Sequence, residues 1–126
     1  MLFRSLAEVG TRVSLFIDAD REQIDAALTC KAPCIEIHTG HYADAHGQQQ
    51  MQLLEEINQC IDYAHQRGLQ VNAGHGLHYH NVQALARNRQ VVELNIGHAI
   101  IAHAVFNGLA ESVREMKRLM VEARSL

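Results

Sequence analysis

Val71-Asn72-Ala73-Gly74-His75-Gly76-Leu77-His78-Tyr79-His80-Asn81 changes character twice within one short stretch. Leu69, Val71 and Ala73 alternate with polar residues, which predicts a strand over 69–73. The strand breaks into Gly74-His75-Gly76, a turn whose only side-chain bulk is one imidazole, and Asn81 opens a helical pattern. Strand, glycine-flanked histidine, helix is how an α/β protein presents a titratable group at the carboxyl end of a strand. The glycines let the backbone approach a ligand closely, and histidine titrates near neutral pH. A surface histidine in a tight turn would read the same way. The choice between the two rests on Leu94-Asn95-Ile96-Gly97-His98-Ala99, which repeats the design further along.

Outward from this stretch the same unit recurs. Val13-Ser14-Leu15-Phe16-Ile17 is nearly continuous in apolar residues, as in a parallel sheet, and Asp18-Ala19-Asp20 ends it. Asp20 is placed to cap the next helix, with Gln23 in capping-box register. Ile24, Ala27 and Leu28 form the apolar stripe of that helix, and Ala32-Pro33 stops it. Cys34-Ile35-Glu36-Ile37-His38 is the second strand, with Ile35 and Ile37 on one face and Glu36 and His38 on the other. After a polar segment over 43–50, Met51, Leu54, Ile57, Ile61 and Ala64 recur at helical spacing until Gly68. Beyond the opening stretch come a helix over 81–88 with Val82, Leu85 and Ala86 inward, and a strand over 91–96. A short apolar helix over 99–106 follows, then a final helix with Leu109, Val113, Met116 and Met120 on one face. Residues 1–10 read as the tail of a preceding helix, with Leu2, Leu6 and Val9 in register and Gly10 at the C′ position. The expectation is one α/β domain over 1–126, four βα units on a parallel sheet with right-handed crossovers.

In such folds the chemistry sits at the carboxyl ends of the strands. Here those ends are Asp18-Ala19-Asp20, Glu36-Ile37-His38-Thr39-Gly40, Gly74-His75-Gly76 and Gly97-His98, all polar or glycine-rich. The opposite rim shows ordinary punctuation, Lys31-Ala32-Pro33 and Arg67-Gly68. The composition narrows the function. A hydrophobic fraction of 48 % marks a globular chain. A net charge of −3 without a basic patch argues against nucleic acid as a partner. No apolar run has the length of a membrane span, and Arg4 and Glu8 interrupt any signal peptide. Cys30, Cys34 and Cys60 lack CxxC spacing, as expected of reduced thiols in a cytoplasmic protein.

Glu36 stands in an otherwise apolar strand, where a carboxylate is costly unless paired, so it is a candidate for a group aimed at His75 or at a cationic intermediate. A partly exposed strand-end glutamate is the plain alternative. The nine histidines are many for this length. His38-x-x-His41 and the run His75, His78, His80 raise a zinc-dependent hydrolase. No HExxH motif or helical pairing accompanies them, so no bound metal is expected. His46, His65 and His103 read as surface residues. Gly97-His98 opens a helix whose free N–H groups suit an anion, in the manner of the phosphate site after the last strands of a (β/α)8 barrel. No nucleotide fingerprint is present, which leaves the phosphate of a small substrate.

Five segments, VSLFIDAD, IEIHTG-x-YADA, VNAGHGL-x-YHN, ELNIGHAII and EMKRLM-x-EAR, together resemble the pyridoxine 5′-phosphate synthase family over residues 12–124. The resemblance implies a cytoplasmic (β/α)8 barrel that makes vitamin B6. Its members condense 3-amino-2-oxopropyl phosphate with 1-deoxy-D-xylulose 5-phosphate, through a Schiff base and dehydrations, to pyridoxine 5′-phosphate, phosphate and water. It implies no cofactor. It places the general acid on His75, a transition-state stabiliser on Glu36, and aminooxopropyl phosphate binding on Gly76, Gly97 and His98.

A barrel of this kind needs about 250 residues, and the resemblance covers strands five to eight alone. The fold expected is therefore half of a TIM barrel, with an extra helix before the last. The family's two catalytic bases and most deoxyxylulose phosphate contacts belong to the other half. Two functions follow as expectations: a synthase active only with its complementary N-terminal half, or a non-catalytic remnant or phosphate-binding assembly module; the protein partner expected is that half or further copies of the chain.

Overall fold

The computed structural model describes residues 2–125, with side chains from Arg4 onward. In chain order its elements are α1 (Leu2–Glu8), β1 (Ser14–Ile17), α2 (Arg21–Thr29), β2 (Cys34–His38), α3 (Gly40–Asp44), α4 (Gly47–Gln66), β3 (Gln70–Gly74), α5 (Val82–Ala86), β4 (Val91–Asn95), α6 (His98–Asn107) and α7 (Leu109–Ser125). The strands form one parallel sheet in the order β1-β2-β3-β4. Each strand lies beside the next in sequence, as in a (β/α)8 barrel, and four such units are half of one.

Alternation along the strands creates two unlike faces. Leu15, Ile17, Ile35, Ile37, Val71, Ala73 and Leu94 meet the helices, and Ile24, Ala27, Ile57, Cys60, Ile61, Ala64 and Leu85 complete that core. Burial of each large aliphatic side chain here contributes about 1.5–3 kcal/mol. On the other face the register aligns Phe16, Glu36, Asn72 and Glu93 in one row. His38, Gly74 and Asn95 form the next row toward the carboxyl ends. Half a barrel leaves this inner face largely uncovered. Ser14 and Phe16 are exposed and Glu36 and His38 half-buried, but Asn72 is buried, its Oδ1 accepting from Gln70 Nε2 at 3.2 Å.

Capping follows the sequence closely, with one variation. Asp20 Oδ1 accepts from the Glu22 and Gln23 amides at 2.7 and 3.1 Å. Gln23 Oε1, however, reaches past Asp20 to the Asp18 amide at 3.0 Å. The helices on the opposite rim end alike. Gly10 N–H donates to Ala7 O and Thr11 N–H to Leu6 O, at 3.0 and 2.9 Å, the paired bonds of a left-handed C-terminal cap. The side chain of Leu2 lies outside the described residues.

Several expectations change. The polar segment over 43–50 contains the end of α3 and the first turn of α4. Met51 is exposed, while Ile57, Ile61 and Ala64 carry the buried stripe of α4. In α7 the buried face is Ser112, Met116, Leu119 and Ala123. Leu109 and Val113 point outward because α7 lies against Val82 of α5 and Tyr79, which Met116 and Leu119 cover. His103 is half-buried between α6 and α7, its Nδ1 2.7 Å from Ser112 Oγ and its ring 4.5 Å from that of Tyr79. His46 and His65 are exposed, as expected. The apolar α6 has no fully buried residue, and Ile101, Val105 and Phe106 face outward. Among the described residues no helix is long and apolar enough to cross a membrane.

Candidate functional site

The His75 turn is built under strain and held by two polar side chains. Its φ of +83° places a non-glycine residue in left-handed backbone, and Gly76 follows at +77°. A side chain at Gly76 would also collide with Ala43, its Cβ only 2.7 Å from that of Ala43. Thr39, fully buried, sets its hydroxyl 2.8 Å from Gly74 O and 2.7 Å from His75 O, one proton shared between two carbonyls. Asn81 closes the far side, its Oδ1 accepting from His78 N–H at 2.7 Å and its Nδ2 donating to Gly76 O at 3.2 Å. Tyr42 Oη in turn donates to Asn81 O at 2.8 Å.

Around this turn the aromatic rings pack together. His38 lies 4.7 Å from His75, 5.2 Å from Phe16 and 5.5 Å from His41 between centroids. Gly40 makes room for them, since a Cβ there would stand 2.6 Å from His38 Cε1 and 2.9 Å from His75 Cδ2. Glu36 is answered by a residue that the sequence did not single out, as Asn95 Nδ2 donates to Glu36 Oε2 at 2.9 Å. A Cβ at Gly74 would sit 2.4 Å from Glu36 Oε1, so this glycine is a steric requirement of the carboxylate.

Glu36, His75, Gly76, Gly97 and His98 line one cavity of about 500 Å³, together with Phe16, His78 and Asn95. The N-terminus of α6 opens into it, and no side chain caps Gly97. Its first amides are available to an anion. A larger cavity, about 710 Å³, lies on the opposite rim between α1 and the end of α2, lined by residues such as Arg4, Glu8, Cys30 and Pro33. It touches no carboxyl end of a strand. All three cysteines are free, Cys30 exposed and Cys34 and Cys60 buried.

His75, His78 and His80 do not converge as a ligand set. His78 Nδ1 accepts from the His80 amide at 3.2 Å, and His80 is exposed. Among the described residues, the trio that brings ligating atoms together is Asp18, His38 and His41.

The family model described as pyridoxal phosphate biosynthesis protein PdxJ matches residues 1–122. The chain belongs to this family. Proteins named pyridoxine 5′-phosphate synthase are similar to it throughout. The one from Colwellia psychrerythraea is 57 % identical over 95 % of the chain and 49 % of the relative. The one from Pseudoalteromonas translucida is 56 % identical over 97 % of the chain and 51 % of the relative. The one from Photobacterium profundum is 54 % identical over 96 % and 50 %. The chain thus spans about half the length of the PdxJ-family relatives it matches. The resemblance read from the motifs and the half-barrel order of the strands agree with this membership. Sequence reasoning missed Thr39, Asn81 and Asn95 as supports of the site. For Asn95 a signal existed: it alternates with Leu94 and so shares the polar face with Glu36.

Proposed function

We propose that this chain supplies the carboxyl-terminal half of a pyridoxine 5′-phosphate synthase site, one that condenses 3-amino-2-oxopropyl phosphate with 1-deoxy-D-xylulose 5-phosphate. The observation that carries this reading is the meeting of Glu36, His75, Gly76, Gly97 and His98 on one cavity. The phosphate of the amino ketone binds at the open start of α6, where Gly97, His98 and Gly76 bring backbone amides near a small anion. His75 is the general acid. Its imidazole is exposed on the cavity wall, where it can pass a proton to a departing hydroxyl during dehydration. Glu36, anchored by Asn95, offers its carboxylate to the cationic carbon–nitrogen intermediate.

The bases that such a synthase also needs come from strands that β1 and β4 are free to accept at the open edges of the sheet. They come from a complementary N-terminal half, or an oligomer closes the edges without them. The partners are small phosphorylated molecules rather than nucleic acid or membrane, and the compartment is the cytoplasm.

The test is turnover of the two substrates by the 126-residue chain, alone and with the first half of a relative's barrel. No product is expected from the chain alone. Product is expected from the mixture, and His75→Ala should lower it by about 10²–10⁴-fold with phosphate binding little changed. Phosphate binding without turnover in a mixture that forms a closed complex favours the assembly module instead. A His75→Ala variant with weakened binding and unchanged turnover makes His75 a ligand contact.

A further inference from the structure

We propose that Asp18, His38 and His41 form a binding site for a zinc-class divalent ion on the same rim. The proposal departs from the expectation of no metal, which rested on the absence of an HExxH motif or helical pairing among the histidines. It stands independently of the synthase reading.

The trio comes from three places in the fold: the residue after β1, the last residue of β2 and the first turn of α3. Each contributes one ligating atom, and these atoms all lie within 4.8 Å of one another. Two imidazoles and one carboxylate are a donor set that suits zinc and its neighbours in the first transition row. A second observation is independent of proximity. Among the described residues, His38 Nδ1 is buried and has no hydrogen-bond partner. Buried polar atoms are rarely left in this state. The carboxylate facing it, Asp18 Oδ1, stands 3.8 Å away, too far to hydrogen-bond. An ion bound at about 2.0–2.2 Å from nitrogen and oxygen spans such a gap.

The surroundings are pre-arranged for this role. Phe16 and His75 hold the His38 ring by its faces and edges, and the missing Cβ of Gly40 lets it sit there. Gln23 holds Asp18 at both ends, accepting from its amide at 3.0 Å and donating to Oδ2 at 3.4 Å. His41 is exposed and free to swing its ring onto the ion. Three protein ligands leave a coordination position for water or an anionic substrate oxygen.

The chelator-stripped 126-residue chain is titrated with Co²⁺ and then Zn²⁺, read by visible absorption and calorimetry. One equivalent is expected, with d–d bands of a four- or five-coordinate ion that Zn²⁺ bleaches. His41→Ala and Asp18→Asn, both at exposed positions, should each weaken binding at least tenfold, with unchanged circular dichroism. His46→Ala and His65→Ala should bind as the parent does. X-ray absorption of the zinc form should show two imidazoles and oxygen ligands. The proposal fails if no stoichiometric ion binds, if His41→Ala and Asp18→Asn bind like the parent, or if sulfur appears among the ligands.

Discussion

His75 carries both the proposed acid and the strain of its turn. Its side chain is exposed, so the cost of its φ of +83° is mainly a backbone cost. Asparagine tolerates left-handed backbone, whereas a β-branched residue does not. His75→Asn should therefore keep the unfolding free energy within about 0.5 kcal/mol, and His75→Val should lose about 1–2 kcal/mol more. Urea titration of both variants measures this, and equal stabilities would show that the strain is relaxed in solution. A second residue-scale prediction concerns alkaline pH. Burial pushes the Tyr42 hydroxyl and the Cys60 thiol above their ordinary values. Both groups are neutral when protonated, so the folded state holds protons that the unfolded chain releases first. Their contribution is complete below the unfolded values, near pH 9–10, and is lost as pH rises through the higher folded ones. Stability should be flat around pH 8 and fall above pH 9. Tyr42→Phe should cost about 1 kcal/mol at pH 8, for its bond to Asn81 O, and flatten part of the alkaline fall.

At the scale of elements, the far end of α7 is fastened chiefly through Arg124. Arg124 Nε donates to Ala86 O at 2.9 Å and its Nη2 to Val91 O, tying the end of α5 and the start of β4 to the last helix. Arg124→Ala leaves these carbonyls without that partner and should cost about 1–2 kcal/mol by urea titration. Lysine cannot fork to two acceptors and should recover little of it. The strands were readable because Leu15 and Ile17, Ile35 and Ile37, and Val71 and Ala73 alternate as apolar residues on the face toward the helices. The candidate rim was readable because βα order alone decides which strand ends share it. What escaped was short or distant. α3 is too short to show a period, and α4 begins with Gly47-Gln48-Gln49-Gln50, which has no apolar residue to mark it. The bond from Asn95 to Glu36 joins residues far apart in sequence, and only the sheet register brings them together. The same holds for Asp18 with His38: adjacent strands must be aligned before the two ends meet.

For the whole molecule, two open edges decide behaviour in solution. Among the described residues, β1 and β4 flank the sheet without a further partner strand, and Phe16 and Val92 are both more than half exposed. On α6 and α7, Ile101, Val105, Phe106 and Leu109 add an uncovered apolar surface. Such edges invite pairing. The 126-residue chain should therefore associate at micromolar concentration. Two copies can close on each other if the barrel axis is the two-fold, with β4 of each meeting β1 of the other in parallel. Light scattering checks this, and a monodisperse monomer that unfolds cooperatively would show that four strands suffice. The order β1-β2-β3-β4 has a further consequence, for synthesis. Each strand after β1 leaves the ribosome to find the neighbour that precedes it already made. Loop closure at every step spans one βα unit, so the sheet can be laid down at the pace of translation. A nascent chain halted before Leu109 would hold every strand of the sheet, with Val82 still lacking its cover from Met116 and Leu119.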